Sequence, residues 1–192
     1  MGALVRSKQQ TVQAVEQAAA GQQYLTFSVA NEMYGIAISS IKEIIEYRAP
    51  TDVPMMPGFM RGVINLRGRV VPVIDLCVRF GRARNENTRR TCIVIVEINQ
   101  NEQQHDIGVV VDTVSAVQDI ADADIEPPPQ FGAKLRAEFI HGMGKVGEKF
   151  VIILDIDRVL SVEELAMLGG EQQAPAGASA MLAAPAQVQA RA

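Results

Sequence analysis

The fifteen residues Gly62-Val63-Ile64-Asn65-Leu66-Arg67-Gly68-Arg69-Val70-Val71-Pro72-Val73-Ile74-Asp75-Leu76 constrain the fold more than any other part of the chain. Their Val and Ile suit a pleated, half-buried surface, and Gly68 supplies the φ freedom of a tight hairpin. The stretch therefore reads as two strands meeting at an Arg-Gly corner, with Arg67 carried on an exposed tip. A tip of that kind suits contact with another macromolecule better than chemistry.

Similar short β-rich runs recur at 24–29, 34–38, 92–98, 107–111 and 150–156, with turn residues between them. Many short strands and few helical periods predict an all-β barrel or sandwich. The runs 70–76 and 150–156 barely alternate, which predicts cover on both faces. Pro72 cannot donate to a ladder, so its strand is expected to lie at an edge or to bulge there. Helix signals are sparse. Ser40 with Glu43 resembles a capping box for about one turn before strand resumes. Ser161-Val162-Glu163-Glu164, leading into Leu165 and stopped by Gly169-Gly170, predicts a short C-terminal helix.

The chain repeats itself. Gly35-Ile36-Ala37-Ile38 lines up with Gly108-Val109-Val110-Val111, and Pro54 and Phe59 are echoed by Pro127 and Phe131. Gly62 through Asp75 lies over Gly142 through Asp155 without a gap. The common order of these matches predicts two similar β lobes.

With aromatics at 5% and no Trp, the cores of such lobes must rest on Val, Ile, Leu and Met. A net charge of −4 offers no global field for nucleic acid or an anionic membrane. Cys77 and Cys92 sit in no CxxC, and read as small buried hydrophobes in a reduced compartment. No eighteen-residue apolar run, no signal-peptide pattern and no myristoylation signal is present, so a cytoplasmic protein is expected. Residues 1–22 read as a flexible lead-in and 169–192, rich in Ala, Gln and Pro, as a disordered tail. The folded part is expected at 23–168, with the lobes meeting near 79–91.

Candidate chemistry is thin. Gly142-Met143-Gly144-Lys145-Val146-Gly147 matches G-x-G-x-x-G, but strand follows where a dinucleotide fold opens a helix, so the glycines read as turn residues. The pairs Asp122/Asp124 and Asp155/Asp157 lack the glycine and glutamate of a calcium loop. His105 and His141 sit in no ligand-spaced group, and no G-x-S-x-G elbow occurs. No catalytic residue, metal or cofactor is expected. The arginine-rich segment 79–90 reads as a mobile solvated loop, with phosphate gripping as the disfavoured alternative. Pro54-Met55-Met56-Pro57-Gly58-Phe59-Met60 reads equally as an adaptable binding surface and as a plug for a core gap.

Taken together, Tyr34-Gly35-Ile36, Ile41-Lys42-Glu43-Ile44, Pro57-Gly58-Phe59, Gly62-Val63-Ile64-Asn65-Leu66-Arg67-Gly68 and Pro72-Val73-Ile74-Asp75-Leu76 resemble the CheW family of bacterial chemotaxis coupling proteins. The likeness covers residues 23–168. It implies two intertwined five-stranded β-barrels of SH3-like topology and an adaptor joining chemoreceptor tips to the regulatory domain of the histidine kinase CheA. Neither nucleic acid nor direct membrane insertion belongs to that role. Carried over by motif position, Ile41, Glu43, Gly62, Asn65, Arg67 and Gly68 are implied at the receptor-facing surface, with Ile93 a further addition. A related array, such as one for twitching motility, is the alternative within the family. A hydrolase in the inter-lobe cleft and a nucleic-acid binder acting through residues 79–90 are the rivals outside it.

Overall fold

The computed structural model describes residues 21–100, 102–128 and 137–161. The lead-in, the tail and the C-terminal helix expected from Ser161 lie outside these. The first half of the chain forms β1 (Gln22–Val29), β2 (Glu32–Ala37), β3 (Ile41–Glu46), β4 (Met60–Leu66), β5 (Arg69–Asp75) and the single-turn helix α1 (Leu76–Arg79). The second half forms β6 (Cys92–Gln100), β7 (Gln103–Val111), β8 (Thr113–Ile120), β9 (Ile125–Glu126), β10 (Ile140–Val146), β11 (Lys149–Leu154) and α2 (Ile156–Val159). The turn expected after Ser40 lies ahead of it, a 3-10 turn at Ile38–Ser40 with no side-chain cap.

The strands assemble into a six-stranded sheet ordered β8-β1-β2-β11-β10-β9 and a five-stranded one ordered β3-β6-β7-β5-β4. Each sheet thus takes one hairpin from one half of the chain and completes it with strands of the other. The repeat holds to the level of register. Gly35 faces Ile153 in the parallel β2–β11 pair, and Gly108 faces Val73 in the parallel β7–β5 pair. Gly62 and Gly142 each follow a register shift in their hairpins.

One expected match is corrected. Asp75 N donates to Phe59 O at 2.8 Å, and Asp155 N donates to Phe139 O at 2.9 Å. Phe139 is therefore the counterpart of Phe59, and Phe131 lies outside the described residues. Hydrogen bonding preserves the equivalence while the spacing from the preceding proline changes.

Asp75 and Asp155 also end their strands alike. Each side chain accepts a backbone N–H three residues on, from Val78 (3.3 Å) and Arg158 (3.2 Å), and so caps α1 or α2. Neither helix is marked in the sequence, because the runs entering them look like uninterrupted strand.

Alternation along the strands divides the core. Val94, Val96 and Ile98 of β6 join a cluster shared by both sheets, with Phe27, Tyr34, Ile36 and Leu154 opposite. Ile93 and Ile95 point the other way, onto Val71, Val73 and Val110 inside one lobe. Tyr24, Ile120 and Ile153 fill the other lobe. Burial of each large side chain contributes about 1.5–3 kcal/mol, so the shared cluster holds the lobes together far more strongly than any surface contact. Pro72 is tolerated because the β5–β7 ladder covers only Val73–Asp75; β5 lies inside its sheet, yet at Pro72 that flank is unpaired.

The formal G-x-G-x-x-G reading is corrected as well. Gly142 and Gly144 lie within β10, where a Cβ would approach Ile125 Cγ2 to 2.4 Å or Ile120 Cδ1 to 3.0 Å. Gly147 alone of the three takes the turn.

Candidate functional site

The β4–β5 hairpin closes through Arg67 and Gly68, at φ 53° and 86°, between the paired residues Leu66 and Arg69. Positive φ at both central positions matches the twist of the flanking strands. Asn65 Oδ1 accepts the Gly68 N–H at 2.8 Å and fixes the corner. Arg67 then stands 79% exposed, with Nη2 donating to Glu43 Oε2 at 2.9 Å. Four of the implied residues, Glu43, Asn65, Arg67 and Gly68, thus share one patch where β3 faces the hairpin tip. Ile41 begins β3, half-buried against the shared core.

Two implied residues do not reach that surface. Gly62 has φ 122°, and a Cβ there would lie 2.1 Å from Thr51 O. The backbone approach it permits is internal, to the Thr51–Val63 bridge. Ile93 is a correction of a different kind: it is 0% exposed in the lobe core, so it supports the patch from beneath instead of touching a partner.

Beside the tip runs an open groove lined by Ile45, Ile64 and Leu66 together with the polar Glu46, Arg48, Asn65 and Arg67. On the other side of the tip lies a charged network that the sequence did not reveal. Lys42 Nζ donates to Asp106 Oδ1 at 2.6 Å and also pairs with Glu97, while Arg69 Nη1 pairs with Asp106 Oδ2 at 2.8 Å. Hydrogen bonds to Asp106 and then to Glu97 raise the Lys42 pKa. These residues come from β3, β6, β7 and β5, and no local motif links them.

The segment 79–90 departs from the solvated loop expected at its start, through Arg79 and Arg82, while residues 83–90 are exposed. Arg79 lies over the rings of Phe59 and Phe139, 5.4 and 4.8 Å from their centroids, and donates through Nε to Val159 O at 3.0 Å. Arg82 bonds Ala30 O and pairs with Glu32, and Asn85 bonds Asp112. Arg84 donates to Gly58 O and, with Arg61, flanks the buried Asp75, at 3.3 and 3.7 Å respectively. Arg79 thus ties the two halves of the chain together, and Arg82 ties the segment to the β1–β2 turn. Met55 and Met56 are 76% and 45% exposed and plug no core gap, whereas Phe59 is buried and Met60 packs against the shared core.

Buried titratable groups serve structure. Burial, followed by the hydrogen bond to Glu32, holds the Tyr34 phenol well above its usual range. Burial also raises both thiols, Cys77 fully enclosed and Cys92 only half-buried, contrary to expectation for the latter. Among the described residues no group of three or more His, Cys, Asp or Glu side chains has the arrangement of a metal site.

The family model for the CheW-like domain matches residues 23–164. The chain belongs to the CheW family. It is 38% identical over 148 residues to chemotaxis protein CheW of Klebsiella aerogenes, covering 77% of this chain and 87% of that protein. Over 148 residues it is 32% identical to chemotaxis protein CheW of Treponema pallidum, covering 76% and 86%. Protein FrzA of Myxococcus xanthus is 33% identical over 130 residues, covering 66% and 76%. The crystal structure of the scaffolding protein TtCheW from Thermoanaerobacter tengcongensis superposes with a TM-score of 0.66 at 34% identity, covering 72% of this chain and 87% of that one. The protein is thus a chemotaxis adaptor of mostly β structure, and the two lobes anticipated from the repeat are those of the CheW fold.

Proposed function

We propose that this protein couples the cytoplasmic tips of chemoreceptors to the regulatory domain of the histidine kinase CheA, acting by simultaneous binding and not by catalysis. The observation that carries this reading is the CheW-like match, which spans the described strands from β1 to β11. The exposed Arg67 tip and the mixed groove beside it, apolar at Ile45, Ile64 and Leu66 and charged at Glu46 and Arg48, suit a receptor helix that carries both apolar and polar side chains. Asn65 and Gly68 shape the tip, Glu43 orients the guanidinium, and Ile41 borders the same strand. Gly62 and Ile93 act from within, on backbone and core.

No helix among the described residues is long and apolar enough to cross a membrane. Recruitment to a receptor array then runs through partners, on the cytoplasmic side. Co-sedimentation with receptor fragments and the kinase tests the reading. Wild-type protein is expected to pellet with both, and Arg67→Ala to lose the receptor while keeping the kinase. Wild-type protein that binds neither would sink the adaptor reading, and receptor binding retained by the variant would remove Arg67 from it. Preferential capture of receptors from a second chemosensory system would assign the pathway to that array.

A further inference from the structure

The tip that carries Arg67 is poorly held by backbone. In the parallel β5–β7 pair the ladder runs only through Val73, Ile74 and Asp75, so the hairpin from Ile64 to Val71 has left β7 before it turns. What connects the tip to the rest of its lobe is a circuit of charges. Asp106 of β7 receives Arg69 from the hairpin and Lys42 from β3. Lys42 neighbours Glu43, which receives Arg67. The circuit therefore passes from β7 to the hairpin, through the tip to β3, and back to β7.

Two details suggest that the circuit serves more than the stability of the lobe. Lys42 sits at a register shift between Ile41 and Glu43, a bulge that aims its side chain across β6. Asp106 lies directly opposite Glu97, a like-charge pair that weakens a sheet unless a cation lies between them. Lys42 is that cation, bonding both. The Asp106 side chain is only 7% exposed, whereas those of Arg69 and Arg67 are 67% and 79% exposed. A nearly enclosed carboxylate thus receives Arg69 and Lys42 beside the tip, while Arg67 itself stays exposed on Glu43.

We infer that Asp106, through Arg69 and Lys42, is a positioning residue for Arg67, holding the hairpin tip and β3 at the separation that a receptor helix recognises. The inference rests on the receptor-facing reading of Arg67. Partner contact falls to Arg67; Asp106 touches no partner. Pre-organisation of this kind shows in affinity, because an unanchored tip must be ordered at the moment of binding.

The experiment compares wild type, Asp106→Asn, Arg69→Gln, Arg67→Ala and the Asp106→Asn/Arg67→Ala double variant, using a receptor cytoplasmic fragment and a CheA regulatory-domain fragment. Lys42 and Arg69, 37% and 67% exposed, can turn to water when Asp106 is neutralised, and the repulsion with Glu97 goes with the charge, so the thermal midpoint of Asp106→Asn is expected to move by no more than about 3 °C. Receptor affinity is expected to fall about tenfold in Asp106→Asn and about threefold in Arg69→Gln, while kinase affinity stays within about twofold. In the double variant Asp106→Asn should add nothing to the loss from Arg67→Ala. Backbone amide order parameters at Arg67 and Gly68 should drop in both anchor variants, a change that a purely stabilising role would not produce.

Additive losses, or unchanged order at the tip, would overturn the inference. So would Arg67→Ala losing the receptor while the exposed Arg69→Gln change, which threatens no core, leaves affinity intact. Loss of receptor and kinase binding together in Asp106→Asn would reassign Asp106 to the fold. Wild-type protein that fails to bind the receptor fragment would instead overturn the parent reading. In that event the order parameters alone decide whether Asp106 anchors the tip.

Discussion

Arg67 holds a backbone conformation that its counterpart in the second repeat leaves to glycine. Arg67 has φ 53° and Gly147, 80 positions on, has φ 61°. A non-glycine residue in the left-handed region costs about 1–2 kcal/mol. Glycine avoids that cost but loses about 0.5–1 kcal/mol through the greater freedom of its unfolded chain. The ion pair to Glu43, made by a side chain 79% exposed, adds only about 0.2–1 kcal/mol. Arg67→Ala gives up the pair and keeps the strain, whereas Arg67→Gly gives up both. The glycine variant is therefore expected to be more stable than the alanine variant by about 0.5–1 kcal/mol and to lie within about 1 kcal/mol of wild type. In urea, with a slope of about 2 kcal/mol/M, that separates the two midpoints by roughly 0.3–0.5 M. Both variants should lose receptor binding alike. An alanine variant more stable than the glycine variant would refute the strain at Arg67. Receptor binding by the glycine variant would show that the tip contributes its shape and not its guanidinium.

Asp75→Asn leaves Arg61 and Arg84 facing a neutral group at a side chain 6% exposed, and is expected to cost about 3 kcal/mol in urea unfolding. Asp155→Asn, at a side chain 31% exposed with a single arginine, keeps an amide oxygen to cap the helix and should cost less than about 1 kcal/mol, through the lost ion pair, and equal costs would contradict this account. Gly62→Ala drives a Cβ to 2.1 Å from Thr51 O at φ 122°, so a loss of at least about 3 kcal/mol or of soluble protein is expected; a wild-type melting curve would show that the strand relaxes. Burial raises the Cys77 and Cys92 thiols, so the folded state binds their protons more tightly than the unfolded chain. Their contribution to stability is complete below the ordinary thiol pKa of about 8.5 and is lost as pH rises past it. Stability should therefore decline above that point less steeply in a Cys77→Ala/Cys92→Ala protein, and parallel declines would refute the assignment. In native protein at pH 8, alkylation should reach half-buried Cys92 before Cys77, which the Ala83 carbonyl also engages; the reverse order by mass spectrometry would contradict the burial difference.

The hairpins were legible because their determinants are local. β-branched runs flank Arg67-Gly68 in one repeat and Gly147 in the other, and strand preference and turn chemistry both act within a few residues. The gapless match of residues 62–75 to 142–155 carried enough information to find the repeat, and the order of motifs carried the family. Features set by distant partners were misread. Arg79 and Arg82 looked as solvated as the exposed residues 83–90 because their acceptors, Val159 O and Ala30 O, lie far away in sequence. Ile93 was implied at the surface by motif position alone, and a β-branched residue in a strand has the same signature on either face. Only the register of β6 against β3 and β7 decides which face is covered.

By itself, then, the amino-acid sequence determined the inventory: short strands, tight glycine-assisted corners, two related halves, and an arginine set on one tip. The tertiary structure decided how these are shared and aimed. It exchanged the first hairpin of each half into the other's sheet, turned Gly62 and Ile93 inward, and brought Lys42, Arg69 and Asp106 from three strands around Arg67. Strand propensity is a property of neighbours along the chain, whereas an ion pair between positions 42 and 106 depends on a bulge and a register that only the closed lobe supplies.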